Sequence, residues 1–339
     1  MSKSIFFIAE ISANHCGKFE NAKKLILTAK KFGADAVKLQ TYSPDTMTLN
    51  LKKKQFRIHS GLWKGSYLWD VYNKGQTPLA WHKKLFLYAK KIGIKIFSTP
   101  FDETAVDFLE KLNCPIYKIS SFEMTDLLLI KKASKTKKPI IISTGMATVP
   151  EIEDAYYTAK KNGAKEITLL YCVSNYPSKN NDFNLNYIKF LKKKFNCKVG
   201  LSDHSNDNRI AMLSIAAGAE VIEKHIALDN QKKGLDIEFS LKGNKIKDFR
   251  QSIDLANDLF KSKINFNSRS DIDSRKFRRS IFVTSDIKAG ERFNTSNIKK
   301  LRPGSGLEPK YYAKLLGKVS PNNFKKGNPL PKSISNIIK

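Results

Sequence analysis

Two stretches of the chain end on histidines in the same way: V-G-L-S-D-H-S from Val199, and A-E-V-I-E-K-H, which finishes at His225. Each is a short apolar β-type run that terminates in a polar cluster, Ser202, Asp203 and His204 in the first and Glu223, Lys224 and His225 in the second. If the two runs are parallel neighbouring strands joined by a helix over Arg209 to Ala217, both imidazoles leave the same edge of the sheet, near enough to share one divalent cation. Neutral imidazole suits several borderline divalent ions, and two nitrogens with positions left over for water or substrate describe a Lewis acid, not a closed structural site. The alternative is that each histidine caps its own strand through hydrogen bonds.

That chemistry depends on the elements beneath it. From residue 4 to about 261 the pattern alternates strand and helix. Strands are expected over Ser4 to Ile11, Ala36 to Thr41, Ile94 to Pro100, Pro115 to Ser120, Pro139 to Thr144, Glu166 to Tyr171, Lys198 to Asp203 and Val221 to His225. Helices are expected over Glu20 to Phe32, Pro78 to Ile92, Glu103 to Lys111, Asp126 to Thr136, Val149 to Asn162 and Asn184 to Phe195. Short apolar strands alternating with amphipathic helices imply parallel βαβ units, and eight of them fit a closed (β/α)8 TIM barrel better than an open sheet. No GxGxxG follows the first strand, which counts against a dinucleotide fold.

In such a barrel the carboxyl ends of the strands form the active site. They supply Glu10 with Asn14 and His15, Lys38 and Gln40, Ser98 and Thr99, Lys118, Ser121 and Glu123, then Ser143 and Thr144, Ser174 and Tyr176, Ser202 to His204, and His225. Two lysines at the ends of buried strands are costly unless an anion partners them. With several hydroxyls they suit a ligand carrying phosphate and carboxylate. The competing reading makes Lys38 and Lys118 structural ion pairs with Glu10 and Glu123.

At 339 residues with 41% hydrophobic side chains the chain can bury one large core and a small one. No apolar run approaches the roughly 20 residues a membrane span needs, and Glu10 arrives too early for a signal-peptide core, so a cytoplasmic protein is expected. The four cysteines, Cys16, Cys114, Cys172 and Cys197, show no metal-binding spacing and carry no motif. The formal charge of +30 invites a nucleic-acid reading, but it comes mostly from lysine pairs and triplets spread along the helices, such as Lys23-Lys24 and Lys192 to Lys194. That is a solvated surface that gathers anions by steering, without an arginine-rich or aromatic stripe for base readout.

The motifs I-A-E-I-S-A-N-H-C-G, A-D-A-V-K-L-Q-T-Y, F-S-T-P-F, Y-K-I-S-S-F-E, I-S-T-G-M-A-T, G-L-S-D-H-S and I-E-K-H resemble, in order and spacing, those of the sialic acid synthase family. The resemblance covers nearly the whole chain. Its members are barrels that condense phosphoenolpyruvate with an amino-sugar aldehyde. The segment G-L-W-K-G-S-Y-L-W-D-V-Y followed by T-P-L-A-W-H is similar to the corresponding insertion of the pseudaminic acid branch. That branch joins phosphoenolpyruvate to an N-acetylated amino sugar, 2,4-diacetamido-2,4,6-trideoxy-L-altrose, for surface glycans such as flagellin or lipopolysaccharide. Trp63, Trp69 and Trp81 in this segment are either core packing for a long loop or substrate contacts.

Carried over residue by residue, the resemblance implies that His204 and His225 bind a divalent metal cation, Mn2+ or Mg2+. It implies that Lys38, Thr99, Lys118, Ser121, Ser143, Ser174 and Ser202 hold phosphoenolpyruvate. Gln40, Tyr176 and Asp236 would meet the sugar, Glu123 would transfer protons and Glu10 would steady developing positive charge. Ser174 stands where sialic acid synthases proper often carry Asn, which favours the pseudaminic branch. Cys16, where Ala or an acidic residue is usual, is expected near the site mouth as a thiol-sensitive position or as an inert small residue.

Three segments follow from this reading: the barrel over residues 1–261, a polar linker over 262–279, and a small β-rich domain over 280–339. The last contains an echo, D-I-K-A-G-E-R-F at Asp286 and N-F-K-K-G-N-P-L at Asn323, and resembles the antifreeze-like (SAF) domain that ends this family. R-P-G-S-G from Arg302 matches a loop that reaches the partner subunit's sugar in a domain-swapped homodimer; the alternative for Arg302 is a plain surface charge. Within the family, a synthase for N-acetylneuraminate or legionaminate is the alternative product class. Outside it, a basic sugar-binding or nucleic-acid-binding protein would make the strand-end residues incidental.

Overall fold

In the computed structural model, which describes residues 4–261 and 268–338, eight strands lie in sequence order. They are β1 (Phe6–Glu10), β2 (Ala36–Thr41), β3 (Lys95–Pro100), β4 (Tyr117–Ile119), β5 (Ile140–Ser143), β6 (Ile167–Cys172), β7 (Lys198–Asp203) and β8 (Val221–Ala227). Each pairs in parallel with the next, and β1 also pairs with β8, which closes the sheet. The expected TIM barrel is therefore present. A two-residue strand, β9 (Leu241–Lys242), pairs onto the end of β8.

The helices outside the barrel are α1 (Phe19–Lys31), α2 (Leu79–Ile92), α3 (Glu103–Lys111), α4 (Leu127–Lys135), α5 (Val149–Lys161), α6 (Asn186–Phe195), α7 (Asn208–Ala216) and α8 (Asn244–Lys261). Local chemistry sets their starts. Asp102 accepts from the backbone N–H of Thr104 and Ala105, Asp126 from Leu128 and Leu129, and Asp207 from Arg209, while Thr148 and Glu151 form a capping box. Their apolar faces, for example Leu25, Ile26 and Ala29 of α1, bury against the outside of strands rich in Ile, Val and Leu. Charged groups inside such a barrel survive only where they are paired, which concentrates them at its carboxyl end.

The chain divides into two compact units, Met1–Ser262 and Lys263–Lys339. Of the linker expected over 262–279, residues 262–267 lie outside the described residues, and Arg269–Ser274 is a short helix capped by Ser268. In the second unit, β10 (Ser280–Val283) pairs antiparallel with β11 (Ile298–Leu301) over a core of Ile281, Phe293, Ile298, Leu315 and Leu330. The sequence echo has a structural counterpart: Ile287 and Phe324 pair across an antiparallel bridge, and Gly290 (φ 90°) and Gly327 (φ 88°) take the same left-handed turn. Among the described residues no helix is long and apolar enough to cross a membrane.

Candidate active site

Register builds the centre of the barrel mouth. Glu10 pairs with Lys38 on one side and with His225 on the other, and Ser202 pairs with Glu223. Because side chains alternate along a strand, Ser202 and His204 face inward together, as do Glu223 and His225, whereas Asp203 and Lys224 face outward and form their own buried ion pair at 2.9 Å. Glu10, Lys38, Lys118 and Glu223 are each 4% exposed or less. Lys38 Nζ contacts the Glu10 carboxylate, donates to Thr99 Oγ1 at 3.2 Å and lies 3.8 Å from Glu223 Oε2. Lys118 Nζ lies 3.2 Å from Glu223 Oε1, which also accepts from Ser202 Oγ at 3.0 Å.

The lysines are therefore ion-paired, with one change from the expected partners: the carboxylate at Lys118 is Glu223, not Glu123. Burial raises the Glu223 carboxyl, but Lys118 and Lys38 outweigh it and hold its pKa at about 2. At Glu10 burial wins, and the carboxyl titrates above its ordinary range despite Lys38. Burial lowers Lys118, assisted by Lys38, while Lys38 itself is kept high against burial by its two carboxylates. Gln40 Nε2 donates to Ser12 Oγ at 2.9 Å, and the Ser12 N–H donates to Glu10 Oε1 at 2.6 Å, so Gln40 reaches the cluster through Ser12.

A second feature lies beyond β5. A Cβ on Gly145 would stand 2.2 Å from Ser174 Oγ and 2.8 Å from Ser121 Oγ, so the missing side chain leaves a notch that the two hydroxyls themselves fill. The Gly145 N–H donates to Ser121 Oγ at 3.1 Å, and Ser143 Oγ is buried without a hydrogen-bond partner. Hydroxyls gathered against this backbone, with the two strand-end ammonium groups, offer donors to a phosphorylated anion. Glu123, half-buried in the loop after β4, is hydrogen-bonded by Ser120 Oγ, and burial lifts its pKa.

The His204 and His225 rings are 5.4 Å apart between centroids. His204 Nδ1 contacts the Val173 carbonyl at 3.2 Å and Cys172 Sγ at 3.8 Å, which orients the ring and leaves Nε2 for a ligand. His225 Nδ1 is buried without a hydrogen bond, 4.0 Å from Asp236 Oδ2, and burial followed by the neighbouring positive charges holds this imidazole neutral. Tyr176 packs over His204 at 4.3 Å and Phe239 lies edge-on to both imidazoles. Burial lowers the His204 pKa, but Cys172 and the Val173 carbonyl outweigh it and raise it above the ordinary value. The neutral, unpartnered His225 beside the Nε2 of His204 fits a divalent cation. Among the described residues no group of three or more His, Cys, Asp or Glu side chains is placed to hold one, so the pair would leave coordination positions for water or substrate.

The insertion between β2 and α2 is not an open loop: it contains a helix, Leu68–Gly75, and an antiparallel bridge between Arg57 and Tyr67. Its tryptophans separate by role. Trp81 packs edge-on against His15 and Phe19 inside the barrel wall, and Trp69 donates to Asp45 Oδ1 at 2.8 Å. Trp63 alone of the three reaches the site, with its indole N–H on the Leu235 carbonyl at 3.2 Å and its ring 6.2 Å from that of Tyr176. His15 Nδ1 accepts from the Gly17 N–H at 3.1 Å and its Nε2 lies 3.2 Å from Thr77 Oγ1, a bracing role. Arg302 belongs to the second unit, exposed beside a cis Arg302–Pro303 bond.

Residues 25–265 match the model of the NeuB family. The chain belongs to the NeuB family. Residues 278–333 match the SAF domain. The chain is 42% identical over 329 residues to a pseudaminic acid synthase of Campylobacter jejuni, covering 97% of this chain and 96% of that one. It is 44% identical over 326 residues to a pseudaminic acid synthase of Helicobacter pylori, covering 95% of each, and 38% identical over 327 residues to an N,N'-diacetyllegionaminic acid synthase of C. jejuni. The crystal structure of a sialic acid synthetase from Leptospira borgpetersenii superposes with a TM-score of 0.71 at 28% identity, covering 80% of this chain and 90% of that one.

In this NeuB family member, sequence reasoning assigned no role to several residues of the mouth. Glu223 was legible as the i−2 neighbour of His225, which puts it on the inward face. Cys172, read as motif-free, sits against His204 and 3.9 Å from Ser174 Oγ. Gly145 carries a signal only through what its absent side chain makes room for. Cys16 is exposed, its Sγ near the Lys233 carbonyl at 3.2 Å, and burial raises its thiol pKa.

Proposed function

We propose that this protein is a pseudaminic acid synthase that condenses phosphoenolpyruvate with 2,4-diacetamido-2,4,6-trideoxy-L-altrose, adds water and releases phosphate. Support comes from the similarity to pseudaminic acid synthases along nearly the full chain. The observation that carries the reading is the meeting, in one barrel mouth, of the Lys38 and Lys118 pair, the Ser121, Gly145 and Ser174 notch and the two imidazoles. Lys38, Lys118, Thr99 and Ser202 bind and orient the carboxylate and phosphate, with the anion replacing Glu10 and Glu223 as the partner of the ammonium groups. The Ser121, Ser143 and Ser174 hydroxyls fill the remaining acceptor positions.

C3 of phosphoenolpyruvate then forms a bond to the sugar aldehyde carbon, whose oxygen takes up a proton to become a hydroxyl. Positive charge develops at C2, water adds there, supplying the proton that balances this uptake, and the C–O bond to phosphate breaks with its electron pair leaving on phosphate as C2 becomes a ketone. Glu123, held by Ser120, takes the proton from that water, and Glu10 steadies the charge at C2. Gln40, Tyr176 and Asp236 position the sugar. His204 and His225 would hold a divalent cation, Mn2+ or Mg2+, which when bound supplies Lewis acidity at the aldehyde. The protein acts in the cytoplasm as a domain-swapped homodimer in which Arg302 reaches the partner's sugar, and its product enters surface glycans such as flagellin or lipopolysaccharide.

A phosphate-release assay with phosphoenolpyruvate and, in turn, the trideoxy-altrose, its legionaminate-forming counterpart and N-acetylmannosamine tests this, with and without a chelator. Turnover is expected with the first sugar, abolished by chelation and restored by Mn2+, and Glu123→Gln is expected to lower kcat about 100-fold or more. Preference for either other sugar would move the protein to the sibling branch.

A further inference from the structure

The insertion meets the loop after β8 at close range. A Cβ on Gly75, the last residue of the Leu68–Gly75 helix, would lie 3.1 Å from Tyr42 Oη and 3.2 Å from Leu235 Cδ1. The insertion and the loop that carries Asp236 are thus packed through a glycine, and Trp63 fastens the same loop through the Leu235 carbonyl. From this junction a continuous series of rings runs inward: Trp63 to Tyr176 at 6.2 Å, Tyr176 to His204 at 4.3 Å and Tyr176 to Phe239 at 5.2 Å. On its other side Tyr42 packs edge-on to Tyr72 at 5.8 Å and to Phe101 at 5.2 Å. Tyr72 is near enough to Glu123 that this carboxylate, after burial, adds to the rise of its phenol pKa.

The polar groups of Trp63 and Tyr42 are already occupied. The Trp63 indole N–H is on the Leu235 carbonyl, and the Tyr42 hydroxyl lies 3.4 Å from the Tyr72 carbonyl. What Trp63, Tyr42 and Leu235 offer a ligand is therefore ring face and methyl surface, while Trp63 and Leu235 remain only half-buried and so retain area to cover. A sugar hydroxyl placed there loses water without gaining a partner, whereas a methyl gains burial.

We propose that Trp63 and Leu235 form the acceptor-specificity wall, seating the methyl-bearing end of a 6-deoxy, N-acylated sugar and disfavouring acceptors that carry a hydroxyl in its place. This rests on the condensation reading above and adds to it which residues choose the sugar. One methyl in an apolar seat is worth roughly 10-fold to 200-fold in kcat/KM, so the wall suffices for a preference within a family of similar acceptors.

The test uses the full-length protein with saturating phosphoenolpyruvate and compares kcat/KM for the trideoxy sugar with that for its 6-hydroxy counterpart. The wild type is expected to prefer the 6-deoxy sugar about 10-fold or more. Trp63→Ala and Leu235→Ala are expected to remove most of that preference while leaving KM for phosphoenolpyruvate unchanged, and Trp63→Phe, which restores a ring face, to recover part of it. An unchanged preference in variants with wild-type phosphoenolpyruvate KM overturns the assignment. If Trp63→Ala does not fold, Leu235→Ala and Trp63→Phe decide on the same readout. A wild type that releases no phosphate with any acceptor overturns the condensation reading, an outcome distinct from active variants with intact preference.

Discussion

Glu223 Oε1 lies 3.2 Å from Lys118 Nζ at the centre of the barrel mouth, and both side chains are nearly sealed from water. The same oxygen accepts from Ser202, and the other carboxylate oxygen is 3.8 Å from Lys38. Removing one member of such a pair leaves an uncompensated buried charge, which costs far more than the pair itself contributes. Glu223→Gln is expected to lower stability by about 3–5 kcal/mol in urea unfolding, and Lys118→Met in the same chain to recover part of the loss. Additive losses in the double variant would show that the two side chains are not coupled.

The notch at Gly145 yields a binding prediction. Gly145→Ala places a methyl 2.2 Å from Ser174 Oγ and 2.8 Å from Ser121 Oγ, so both hydroxyls must leave the positions from which they would donate to phosphate. Serine side chains on loops can turn aside, so the fold is expected to survive while KM for phosphoenolpyruvate rises about 10-fold or more, the value of one lost charged hydrogen bond. Unchanged phosphoenolpyruvate KM, measured with sugar saturating, would remove the notch from phosphate binding.

Stability is expected to fall with pH before the carboxylates titrate. His15 and His82 are buried, and burial lowers each pKa from 6.5 to about 4. Below pH 6.5 the unfolded chain therefore takes up protons that the native chain does not, so stability is full above about pH 6.5, declines toward pH 4 and levels below it. Each histidine accounts for on the order of 3 kcal/mol of this decline. His82 Nε2 is 2.8 Å from Thr41 Oγ1, which in turn is 2.6 Å from Ser98 Oγ, so His82→Gln keeps a polar partner for that chain. The Tm of His82→Gln is expected to vary less between pH 6.5 and 4.5 than that of the wild type.

Arg302 gives the remaining prediction. It is an exposed guanidinium on a turn fixed by Pro303 and Gly304, with Gly304 packed against the Arg275 and Arg278 backbone carbonyls. Arg302→Ala is expected to raise KM for the sugar about 10-fold while sparing that for phosphoenolpyruvate, and mixing it with a barrel-site variant such as Glu123→Gln should restore some turnover if each site is completed by the partner chain. Unaltered sugar kinetics would return Arg302 to the surface.

The sequence alone determined much of this protein, because strand period and helix period are local properties. The bounds expected for the second and seventh strands, Ala36–Thr41 and Lys198–Asp203, coincide with β2 and β7, and the eight strands close in the expected order, although Ser98 and His15, named from the pattern as site residues, turn instead toward His82 and Trp81 of α2. Alternation also announced that Ser202 with His204, and Glu223 with His225, would share a face. What tertiary structure decided is which of these groups meet. Pairing Glu10 with His225 requires β1 to close on β8, more than 200 residues away, and no local pattern encodes that register. The same holds for Glu223 as the partner of Lys118, for the notch that Gly145 leaves between Ser121 and Ser174, and for an insertion whose Trp63 and Gly75 lock onto Leu235. Contacts between distant segments are chosen by barrel closure and side-chain packing together, and those exist only once the whole ring of strands has formed.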